Sequence, residues 1–142
     1  MLRMKAIKFS VAAVIGSLLL AVAGCTKSGS SSSIEGKWVG SDLSDPGAQC
    51  QIIVSNGNFE FHGNNEADSF KGTIGVFYTE SHPGAMDINV TEPQQLAGKT
   101  ALFIFEFKGN ELKLAWERPG TFRRPSSLNP EQGVRIATLK RQ

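Results

Sequence analysis

The chain has 142 residues, 40% of them hydrophobic, with 15 lysines and arginines against 13 aspartates and glutamates: one domain with a sizeable core fits, and two do not. Three of the cations, Arg3, Lys5 and Lys8, precede residue 25. Beyond it 12 basic residues face 13 acidic ones, a net charge of −1, so the overall basicity is no argument for a nucleic-acid or anionic partner. Only one cysteine, Cys50, lies in the expected domain, which excludes an internal disulfide framework.

Residues 1–24 read as a bacterial lipoprotein signal peptide. The three cations form a positive start, Val11 to Val22 is an apolar stretch, and Ala23-Gly24 puts two small residues directly before Cys25. That stretch is shorter than the ~20 residues needed to cross a bilayer as a helix. Cys25 is therefore the expected lipidation site, carrying acyl chains such as palmitate. An ordinary signal peptide cleaved after a small residue and an uncleaved anchor are the alternatives. Residues 25–33, the lipidated cysteine and a Ser-rich tether, contain no apolar side chain beyond Cys25 to bury. Thr26 after the cysteine, where aspartate would retain a lipoprotein at the inner membrane, points to the outer membrane facing the periplasm in a Gram-negative host. The membrane, through this lipid anchor, is the first expected partner, and the cell envelope the expected location.

Residues 34–142 form the expected domain. No window of ten or more residues carries a 3.6-residue apolar period, whereas short alternating runs bounded by turn residues recur. Eight strands are expected: Lys37 to Asp42, Ala48 to Val54, Phe59 to His62, Ser69 to Tyr78, Ala85 to Thr91, Thr100 to Phe107, Leu112 to Trp116 and Val134 to Lys140. Asn56-Gly57 supplies the positive φ angles of a tight hairpin between the second and third. The links are mostly too short for parallel crossovers, so the strands must pair as an antiparallel meander, and closing it into a barrel removes both edges. The expected fold is thus all-β, a single eight-stranded antiparallel meander barrel.

Alternation assigns an inner face: Cys50, Ile52, Val54; Phe59, Phe61; Phe70, Ile74, Val76, Tyr78; Met86, Ile88, Val90; Phe103, Phe105, Phe107; Leu112, Leu114, Trp116; Val134, Ile136. The outward set includes Glu60, His62, Lys71, Asp87, Lys113 and Arg135. An eight-stranded barrel can just be filled by its own side chains or hold one small ligand, and the many rings here favour a filled interior.

The order of several short motifs resembles a family of small, uncharacterised extracytoplasmic domains of lipocalin-like form, best known as paralogues in planctomycetes. They are Gly36-Lys37-Trp38, Gly72-Thr73-Ile74, Pro83-Gly84-Ala85-Met86-Asp87-Ile88, the hairpin Ile104-Phe105-Glu106-Phe107 with Gly109-Asn110-Glu111-Leu112, Arg118-Pro119-Gly120 with Arg124-Pro125, and Leu139-Lys140-Arg141. Leu128 stands where that family usually has phenylalanine, and Ala115 where it often has cysteine. The resemblance implies a fold and no activity. It also implies that Trp38 closes one barrel end beneath a cation of the last strand, Arg141, with Arg135 as second choice.

For chemistry the chain offers little. His62 and His82 are the only histidines, no calcium loop, nucleophile elbow or phosphate-cradling loop is present, and neither a cofactor nor a metal is expected. The longest connection, Glu117 to Gly133, holds Arg118, Phe122, Arg123 and Arg124 and is the candidate binding loop. The competing reading makes it a lid, with Phe122 packed over the barrel end and the arginines paired to local acids. The expected function is a non-enzymatic binding or interaction module tethered in the envelope, meeting an envelope protein or a small ligand. The alternative is a lipocalin-like carrier of a small apolar ligand inside the barrel.

Overall fold

Alternating apolar and polar residues become eight antiparallel strands, each hydrogen-bonded to its sequence neighbours, and the last closes on the first. The computed structural model describes residues 33–142. The expected signal peptide, Cys25 and all but the last residue of the expected tether lie outside the described residues. The strands are β1 (Gly36–Asp42), β2 (Gln49–Ser55), β3 (Asn58–His62), β4 (Phe70–Tyr78), β5 (Gly84–Glu92), β6 (Thr100–Lys108), β7 (Glu111–Trp116) and β8 (Arg135–Arg141). They form a closed barrel in sequence order, with Trp38 of β1 opposite Arg141 of β8 at the seam. Ser55 pairs with Asn58, so Asn56 (φ 51°) and Gly57 (φ 77°) make the two-residue turn that needs positive φ at both positions.

The barrel axis is filled by rings. Phe59 lies 5.5 Å from Phe103, Phe103 stacks 5.3 Å from Trp116, and Phe61 meets Trp116 edge-on at 5.1 Å. Ile52, Ile88, Leu112, Leu114 and Leu139 complete the packing and are inaccessible to solvent. Each buried aromatic removes about 150–250 Å² from water at about 25 cal/mol per Å², so these rings dominate the hydrophobic stabilisation.

Two ends result. At one, the closed end, Phe77 stacks on Phe105 at 4.9 Å, Phe107 packs 5.9 Å from Trp38, and the Arg141 guanidinium lies 4.3 Å over the Trp38 ring. Trp38 Nε1 donates to the Ile34 carbonyl at 2.8 Å, and Arg141 donates to the carbonyls of Ser33 and Glu35. Residues 33–36 therefore enter the barrel beneath its closed end. The other end, the mouth, gathers the connections 43–48, 63–69, 93–99 and 117–134.

Two stretches differ from the expected inner face. In β4 the pairing shifts between Ile74 and Val76, leaving Gly75 as an extra residue. The phase inverts there, so Phe77 joins the core while Tyr78 is 62% exposed. In β8 the inward residues are Ala137 and Leu139, with Arg135 in phase with them, whereas Val134 and Ile136 face outward. They are buried all the same, in a second cluster with Ile104, Ala115 and Leu128. The 117–134 connection covers this outer wall, so both faces of β8 are apolar and alternation alone could not choose between them.

Candidate functional site

The expected binding loop is a strap on the barrel wall. Arg124 donates from Nη1 to the Phe103 carbonyl at 2.8 Å and the Met86 carbonyl at 3.4 Å, and its Nη2 pairs with Asp87. It pins the loop to the outer side of β5 and β6. Arg123 donates from Nε to Glu117 Oε1 at 2.6 Å and approaches Glu131 at 3.7 Å. Hydrogen bonding to Glu117, followed by that carboxylate's charge, holds the Arg123 pKa above its ordinary value. Glu117 itself is buried, at 7% exposure. Arg123 and Arg124 are thus spent on local contacts. Phe122 is fully exposed and covers no barrel end, contrary to the lid reading, beside a hollow of about 520 Å³ that it shares with Lys99 and Leu102. Arg118 is exposed and has no acidic partner among the described residues.

The mouth holds a cluster that alternation placed on the wrong face. Arg135 points inward, with its guanidinium carbon 5.2 Å from the Trp116 ring centre and 5.4 Å from that of Phe61. It donates to Asp42 Oδ2 from Nε at 3.1 Å and from Nη2, and to both oxygens of Asp68, including Nη2 to Oδ2 at 2.7 Å. Burial works against its charge, yet the hydrogen bonds to Asp68 and Asp42 outweigh it and raise the Arg135 pKa.

Local structure delivers each partner. Asp42 ends β1, is 2% exposed, and accepts the Ser44 N–H at 2.8 Å in a tight turn. Ser44 Oγ in turn accepts from the Ile136 N–H at 2.8 Å, tying the turn to β8 beside Arg135. Asp68 closes a single 3-10 turn, Glu66–Asp68, capped by the Asn65 side chain, which accepts the Asp68 N–H at 3.1 Å. Gly63 lies against it, where a Cβ would collide with the Asp68 carboxylate. The sequence signal was the spacing of Arg135, Ala137, Leu139 and Arg141, which share one face and put a cation at each end.

Above this cluster the mouth opens as a cleft of about 380 Å³, walled by Phe70, Leu96, Trp116, Pro119 and Arg118, with Asp68 and Arg135 in its floor. His62 and Lys71 both meet Glu60 on the outer wall, at 3.0 and 3.5 Å, and the His62 hydrogen bond leads in holding the Glu60 pKa below its usual value. Burial first, then the Asp42 charge, pushes the Cys50 thiol up to about 11. Among the described residues no three His, Cys, Asp or Glu side chains converge in a metal-holding arrangement. Compared with known family models, curated proteins and solved structures, the chain matches none.

Proposed function

We propose that the chain is a lipid-anchored protein of the cell envelope whose barrel is a non-enzymatic binding module that works through its mouth. In this reading Cys25 carries the lipid and residues 25–33 form the tether, in a Gram-negative host on the periplasmic face of the outer membrane. Kinship with the small lipocalin-like domains is part of the same proposal.

The observation that carries it is the polarity of the barrel. The chain enters beneath the end sealed by Trp38, Phe77, Phe107 and Arg141, and the opposite end bears the cleft with Arg118. Ser33, the last residue of the expected tether, lies at the closed end, opposite the cleft. The ring-filled interior favours a ligand seated at the mouth over an apolar ligand carried inside. The mutual pairing of Arg135 with Asp42 and Asp68, and of Arg123 with Glu117, supports a structural role for these charges rather than a catalytic one.

Two measurements test it. In detergent phase separation of cells making the full chain, the wild type is expected in the detergent phase and Cys25→Ser in the aqueous phase. Equal partitioning would overturn the anchor. A photoreactive amino acid replacing Gln95, on the cleft, is expected to give discrete adducts in native membranes, and one replacing Lys108, at the closed end, none. Adducts from position 108 alone, or from neither position, would overturn the mouth as the binding surface.

A further inference from the structure

At the mouth Arg135, Asp42 and Asp68 are spent on one another. Arg135 donates to both Asp42 and Asp68, and the second oxygen of Asp42 accepts the Ser44 N–H. These acids therefore have little acceptor capacity left for a ligand. Arg118 is different: its backbone carbonyl accepts from Thr121, while its guanidinium has no acidic partner among the described residues. Around it the cleft is lined by half-buried Leu96 and, beneath its surface, by the buried Trp116, Phe70 and Pro119.

The volume, about 380 Å³, lies at the lower end of the ~300–1,000 Å³ typical of small-molecule sites. Arg118 is exposed and forms no ion pair among the described residues, so an anion beside it meets a guanidinium whose donors are not already taken by a carboxylate. Guanidinium offers a planar fork that matches a carboxylate with two parallel hydrogen bonds. Resting on the proposed binding role, we infer that the mouth cleft takes a small amphiphilic carboxylate, its apolar body against Leu96 and over the cleft wall that the buried Trp116 and Phe70 underlie, and its head group paired to Arg118. The barrel below stays filled. Arg135 and Asp68 form the floor and need not open for the ligand to enter.

The two tryptophans make the test internally controlled, since Trp116 lies at the mouth and Trp38 at the closed end. The ¹⁵N-labelled full chain is titrated with naphthalene-2-carboxylate and with uncharged naphthalene-2-carboxamide. The carboxylate is expected to shift the Trp116 indole resonance and the Ser69 and Leu96 amides saturably, and to leave Trp38 unmoved. Arg118→Gln, an exposed change, is expected to weaken the carboxylate about tenfold and the carboxamide less than about twofold. Equal weakening of both probes, shifts at Trp38 instead of Trp116, or no saturable shift at millimolar probe would overturn the inference. Adducts at position 95 with a silent titration would overturn the carboxylate while leaving the binding role standing; silence in both experiments would overturn both.

Discussion

Arg135 spreads one charge over two carboxylates and two aromatic faces where water reaches only part of it. Such an assembly is held by the cost of breaking it. Removing the cation would strand Asp42, which is 2% exposed and has no room to reach solvent. Arg135→Ala is therefore expected to lower stability by about 3–5 kcal/mol, the range for breaking a buried pair from one side. Adding Asp42→Asn should recover part of it. Urea unfolding of the single and double variants checks this, and a loss below about 1 kcal/mol for the single variant would contradict a paired, desolvated cluster. Cys50 reports on the same region. Its pKa is raised from 9.0 to about 11 because burial, and then the Asp42 charge, disfavour the thiolate. The fold thus favours the neutral thiol, and this contribution to stability is complete below pH 9 and fades as pH rises towards about 11. Iodoacetamide at pH 8.5 is expected to label Cys50 only as fast as the barrel unfolds; labelling at the rate of a free peptide thiol would contradict the burial.

At the scale of elements, the 117–134 strap and strand β8 depend on each other. The strap buries Val134, Ile136 and Leu128 against Ile104 and Ala115, and Arg124 fastens it to the Phe103 and Met86 carbonyls. Arg124→Ala should cost about 1–3 kcal/mol, since Asp87 and the carbonyls lose a charged donor. Hydrogen exchange should then quicken within residues 119–133 while β1–β4 keep their protection. Uniformly faster exchange would mean that the strap is not a separable element. This region also marks where the sequence stopped being legible. Eight strands, their order and the Asn56-Gly57 turn followed from alternation and turn chemistry, because one face of most strands is wet. β8 has two apolar faces, so its phase depended on a covering segment that no local pattern announces. In β4 the inserted Gly75 inverts the phase after Ile74, a shift that a strict period of two cannot register.

The barrel is asymmetric along its axis. Cation and tryptophan meet at both ends, Arg141 over Trp38 and Arg135 beside Trp116, but one end receives the chain and the other opens into a cleft. The lid reading expected the loop arginines to pair with local acids, and Arg123 and Arg124 do so with Glu117 and Asp87, whereas Phe122 covers no barrel end and Arg118 has no acidic partner among the described residues. The Arg135 cluster was hidden because its three members lie far apart in sequence, at 42, 68 and 135, and converge only when β8 closes against β1. A filled barrel with its ligand surface outside the Arg135 floor differs from a carrier in one observable way. Methyl resonances of Ile52, Ile88, Leu114 and Leu139, in the middle of the barrel, can be followed while the full chain is titrated with an uncharged aromatic such as N-phenyl-1-naphthylamine. The filled interior requires these methyls to stay in place; saturable shifts centred on Ile88 and Leu114 would show that the rings part to admit a ligand, and would contradict it.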